Sequence, residues 1–104
     1  MFKGTTPTYT LTLPEEVDLT DATSVIVTFA NRRGAILAEK TGADLDIDRN
    51  VIEVYLTQEE TLAFPEGTVS IQVNWLYNSD GVTKRAASNI AKVYYQNNLI
   101  NEVI

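Results

Sequence analysis

Neither cysteine nor histidine occurs anywhere in this 104-residue sequence. Their absence excludes disulfides, thiol nucleophiles, the usual zinc and iron–sulfur ligand sets, the commonest general base and the usual pH switch. Positive charge is scarce as well: eight Lys and Arg stand against fourteen Asp and Glu, a formal charge of −6 with a pI near 4.4. That balance repels a phosphate backbone, and only the pairs Arg32-Arg33 and Lys84-Arg85 interrupt it, so nucleic acid is not an expected partner. No apolar run approaches the length of a membrane span, and the opening "MFKGTTPTYTLTLP" lacks the apolar centre of an export signal. The expectation is a chain made and folded in the cytoplasm, without membrane contact.

What the sequence does contain is alternation. With 44% hydrophobic residues, the chain can bury one modest core, so residues 1–104 read as a single domain. Tyr9, Leu11 and Leu13 alternate with threonines up to Pro14, which ends a first strand. Val25, Val27 and Phe29 repeat the pattern, and "NRRG" turns the chain into "AILAEK". "VIEVYLT" follows with Ile52, Val54 and Leu56 inward. The longest such run, "TVSIQVNWLYN", sets Val69, Ile71, Val73, Trp75 and Tyr77 on one face, which makes Trp75 the expected centre of the core. "NSDG" closes a hairpin into the last long strand, "VTKRAASNIAKVYY". About seven strands joined by short turns predict an all-β fold: an antiparallel immunoglobulin-like β-sandwich with one short helical corner and no stabilising cysteine pair.

That corner is "LTQEETLAF", where alternation fails. Thr57 followed by Glu60 has capping-box spacing, and Glu59 and Glu60 fall in a first helical turn where the backbone dipole favours negative charge. Neighbouring carboxylates on one turn diverge, whereas acid/base catalysis needs two that converge across a cleft. No catalytic residue is therefore assigned. Asp44, Asp46 and Asp48 are spaced like the start of a calcium loop, but Arg49 stands where that loop needs glycine and Tyr55 where it needs a bidentate glutamate. A solvated strand edge is the expected role of the run, with no metal and no cofactor.

Two features point outward. Tyr94 and Tyr95 are adjacent in a strand and face opposite ways, so one of them is a candidate surface contact. In the tail "QNNLINEVI", Leu99, Ile100, Val103 and Ile104 have helix-compatible spacing opposite Asn98, Asn101 and Glu102. A solvated terminus is normally polar, so this stripe is expected to be buried, either on its own sandwich or against a neighbouring subunit. Exposed tyrosines leave a second functional reading open, a small carbohydrate-binding or surface-adhesion sandwich in which aromatic rings stack on sugars.

Three segments together, "KGTTPTYTLTLP", "VYLTQEETLAFPEGTVSIQVNW" and "SNIAKVYYQNNL", resemble the small immunoglobulin-like structural proteins of phages and prophages of Gram-positive bacteria. The resemblance is to the amino-terminal domain of baseplate upper proteins and runs from Lys3 to Leu99. It implies a non-enzymatic virion module of the tail or baseplate, with no catalytic residues to carry over. Its implied partners are other virion proteins or further copies of itself in a homo-oligomer.

Overall fold

The computed structural model describes every residue, Met1–Ile104. In chain order the strands are β1 (Thr8–Thr12), β2 (Ser24–Asn31), β3 (Ile36–Thr41), β4 (Leu45–Asp48), β5 (Val51–Tyr55), β6 (Gly67–Ser79), β7 (Val82–Ala87) and β8 (Ala91–Tyr95), with a single α-helix, α1 (Gln58–Leu62), between β5 and β6. They form two antiparallel sheets packed face to face: a three-stranded one in the order β1-β5-β4, and a five-stranded one in the order β3-β2-β6 with β7 and β8 on the far side of β6. If β1 is equated with the second strand of an immunoglobulin domain, these are the B-E-D and C′-C-F-G orders, without the A strand. No helix is long and apolar enough to cross a membrane.

The expected seventh strand is present as two. β7 pairs with Asn74–Ser79 and β8 with Gly67–Ile71, so both continue one line along β6, interrupted at Ser88–Ile90. The interruption is stitched by side chains. Ser88 N–H donates to the Val73 carbonyl at 2.8 Å, Val73 N–H donates to Ser88 Oγ at 3.0 Å, and Gln72 Nε2 donates to the Ser88 carbonyl at 3.0 Å. A side-chain oxygen thus replaces the ladder acceptor, and the strand can kink without orphaning its neighbours.

Turn chemistry sets the register. Asp80 and Gly81 both have positive φ, 53° and 76°, the conformation of a two-residue hairpin joining Ser79 to its partner Val82. At the other hairpin, Asn31 Oδ1 accepts from the Arg33 and Ala35 amides at 2.9 and 3.0 Å, closing the turn before β3.

The core lies where the period-two pattern puts it, between Val25, Val27 and Phe29 of β2, Ile52 and Val54 of β5, and Val69, Ile71 and Val73 of β6. Its aromatic centre is not Trp75. The rings of Tyr9, Phe29, Phe64 and Tyr95 form a chain with successive centroid separations of 6.1, 6.0 and 5.1 Å. Trp75 is only half-buried, packed against the apolar core from outside. The reason is length. β6 has thirteen residues and β5 has five, about 43 Å against about 17 Å at the rise of a strand. The far half of the β6–β7 hairpin therefore outruns the sheet that covers it.

Candidate protein-interaction surfaces

Of the paired glutamates, Glu60 caps a helix. Thr57 Oγ1 accepts from the Glu60 amide at 3.3 Å, and a Glu60 carboxylate oxygen accepts from the Thr57 amide at 2.9 Å, the complete capping box. The same oxygen meets Lys40 Nζ of β3 at 2.7 Å, so the corner of one sheet is tied to the edge strand of the other. Partial burial works against the Glu60 carboxylate; the bonds from Lys40 and Thr57 outweigh it and hold its pKa below the usual value. Glu59 is exposed and turns away. The one fully buried helix residue is Thr61, whose hydroxyl donates to the Thr5 carbonyl at 2.7 Å and pins the amino-terminal segment. Nothing in the sequence marks Thr61 apart from the neighbouring threonines, because its role depends on a partner 56 positions away.

Asp44, Asp46 and Asp48 are all exposed, with Leu45 and Ile47 between them turned to the core side. They lie on and just before β4, the edge strand of the smaller sheet. No cluster of three carboxylates is assembled that could hold a metal ion.

The tyrosine pair resolves as opposite faces require. Tyr94 is 56% exposed and Tyr95 is fully buried. As a surface contact Tyr95 is therefore ruled out: its ring packs edge-on to Phe64 and its hydroxyl bonds that of Tyr9 at 2.7 Å. Tyr55, 50% exposed, lies on the outer face of the smaller sheet, while Tyr94 lies on the outer face of the larger one, since each alternates with core residues of its own strand. The two exposed rings look away from each other and do not build a common stacking platform.

The tail is neither helical nor buried. Residues 97–104 contain no helix, and Leu99, Ile100, Val103 and Ile104 are 103%, 51%, 50% and 87% exposed. A segment this short lacks the length for an independent helix, and the Asn98 side chain accepts from the Ile100 amide at 3.2 Å, a local bond that competes with helical geometry. The backbone is nonetheless anchored. Asn98 Nδ2 donates to the Lys3 carbonyl at 3.1 Å. Gln58 of α1 exchanges two bonds with Ile104, from its Nε2 to the carbonyl at 3.1 Å and from the Ile104 amide to its Oε1 at 3.0 Å. The amino terminus reaches the same place: Phe2 bridges in parallel to Gln96, with Lys3 N–H donating to the Gln96 carbonyl at 2.9 Å and Gln96 N–H donating to the Met1 carbonyl at 2.8 Å. Both termini meet at one end of the sandwich and expose Met1, Phe2, Leu99, Ile100, Val103 and Ile104 there. An exposed apolar concentration of this kind is a candidate contact surface.

One side of the sandwich is open. Between β1 and the β7–β8 interruption runs a cleft of ≈ 570 Å³, floored by Leu11, Leu13, Ile71, Val73 and Trp75 and containing no charged residue. It is the side on which the A strand of an immunoglobulin domain lies. No family model matches the chain, and no curated protein and no solved structure matches it either.

Proposed function

We propose that this chain is a non-enzymatic structural module of a phage or prophage particle, acting in a tail or baseplate through contacts with other virion proteins or with itself. The observation that carries the reading is the terminal patch. Six apolar side chains from the two ends of the chain stay in water at the end of the sandwich where the termini meet, whereas the other large apolar residues left exposed, Ile36, Tyr55, Val82, Ile90 and Tyr94, come from five different stretches of the chain. Leaving them exposed is costly in isolation and is offset when a partner covers them. The net charge of −6 suits a component that stays soluble before assembly and then selects a partner of complementary charge. The three segments that resemble baseplate upper proteins supply the setting. On this reading the chain is made in the bacterial cytoplasm and carried in the finished virion.

The test is biochemical. Particles purified from an induced host that encodes the chain are digested and analysed by mass spectrometry. Peptides of this chain at a fixed ratio to the tail proteins support the reading. Its absence from particles of a host that expresses it overturns the reading.

A further inference from the structure

We propose that the cleft between β1 and the β7–β8 interruption receives the carboxy-terminal segment Leu99–Ile104 of a second copy of this chain, added as a strand to the free edge of β1. The proposal rests on the assembly reading above and names one of its contacts.

The edge is ready to pair. Leu13 N–H bonds the Asn50 carbonyl and Leu56 N–H bonds the Pro7 carbonyl, so the odd-numbered residues of this stretch turn their backbone groups toward β5. Alternation then turns the N–H and C=O groups of Thr8, Thr10 and Thr12 away from β5, toward the open side. These three residues take no part in the turn, loop and cap bonds of the backbone. β1 has no neighbour but β5. Exposed strand edges with unpaired groups are templates for an added strand.

The same side already shows such closure over part of its length. Met1–Lys3 lies along the end of β8, bonding both backbone groups of Gln96, while Met1 donates its amino group to the Tyr94 carbonyl at 3.0 Å. Beyond it, from Lys92 back to the interruption, the side stays open above the apolar floor.

The occupant follows from chemistry on this chain. The cleft is apolar and uncharged, so it accepts a strand whose inward residues carry no charge. In an extended Leu99–Ile104, Leu99, Asn101 and Val103 share one face and Ile100, Glu102 and Ile104 the other. Only the first set can enter without burying a carboxylate. Leu99 and Val103 then cover Leu11 and Trp75, and Asn101 faces the polar groups of Ser88 and Asn89. Six residues span about 20 Å, close to the about 17 Å of the five-residue β1. The segment fills a neighbour's cleft because its own copy is held elsewhere. Gln58 and Lys3 bind it at the α1 end, and from Gly67, which follows that end, to Trp75 in the cleft is about 26 Å along β6. Reciprocal exchange of two tails closes a two-fold dimer.

Sedimentation of the full chain across micromolar concentrations tests this, with Trp75, the only tryptophan, as a reporter in the cleft. The expected result is a concentration-dependent dimer accompanied by a blue shift of Trp75 emission. L99D/V103D and, separately, N89E should each raise the dissociation constant by roughly tenfold or more, while E102Q leaves it unchanged. Both weakening variants change exposed positions, so retained melting curves separate lost docking from lost folding. A monomer throughout overturns the proposal, as does a dimer that survives either weakening variant. A tail-dependent emission shift at monomeric mass also overturns it, because the chain then fills its own cleft. A monomeric chain found in purified particles removes this contact and leaves the assembly reading standing.

Discussion

The hydroxyls of Tyr9 and Tyr95 meet at 2.7 Å inside the sandwich, one from β1 of the smaller sheet and one from β8 of the larger, and so join the two layers by a polar bond. Tyr9→Phe removes one partner and leaves the buried Tyr95 hydroxyl unsatisfied, which should cost about 1–3 kcal/mol. The double change Y9F/Y95F removes both hydroxyls at little change in shape and should recover most of that loss. Urea unfolding of the three proteins checks the order, and a double variant less stable than Tyr9→Phe by more than about 1 kcal/mol contradicts the assignment.

The same pair makes stability fall in alkali. Burial raises the pKa of both tyrosines, with the mutual hydrogen bond raising Tyr95 further and only partly countering the rise at Tyr9. A raised folded-state pKa means that the folded protein holds the proton more tightly. The contribution is therefore complete below the unfolded value of 10.0 and is lost as pH climbs through the folded values above it. Unfolding free energy should be flat from pH 8 to 9 as far as these groups are concerned and decline above pH 10. In Y9F/Y95F the decline should be visibly weaker.

Glu60 gives the opposite slope in acid. Its folded pKa is lowered below the ordinary 4.5 because the Lys40 and Thr57 bonds overcome the desolvation that opposes them. Stability from the ion pair and cap is therefore present above 4.5 and disappears as pH falls through the lower folded value. Thr57→Ala should cost about 0.5–2 kcal/mol at neutral pH through loss of the cap. Lys40→Met should flatten the acid limb of a melting-temperature profile, and an unaltered limb would refute the coupling.

These sites show how far a single sequence can be read. The capping box, the Asp80-Gly81 hairpin and the alternation of core residues are local patterns, and each appears where its residues predict it. Trp75 satisfies the same alternation and is still not the centre. Which part of a long strand the opposite sheet covers depends on the lengths of two strands that are remote in sequence. Alternation likewise shows that Tyr94 and Tyr95 face apart without showing which is inside, since Ser88 resets the strand just before them. The tail misleads for a related reason: its spacing fits a helix, but no surface in its own chain covers that face.

The corrected core has a measurable consequence. Phe64 is buried to 1% exposure between Phe29 and Tyr95, so Phe64→Ala should cost about 3–5 kcal/mol. Trp75→Ala, at the half-covered margin, should cost about 1.5–2.5 kcal/mol, roughly half as much. Equal losses in guanidinium unfolding would return Trp75 to the centre.

The acidic edge is electrostatically unfavourable. Asp46 of β4 stands directly opposite Glu53 of β5, and both side chains are exposed on the outer face of the smaller sheet. Like charges at facing positions repel, whereas opposite charges there contribute about 0.2–1 kcal/mol. Asp46→Lys should therefore raise the melting temperature at low salt, and the gain should shrink at high salt because these charges are solvated and screened. If the pair instead chelated calcium, millimolar calcium would stabilise the parent chain and Asp46→Lys would abolish that response. The expected outcome is no response to calcium in either protein, with the lysine variant the more stable of the two.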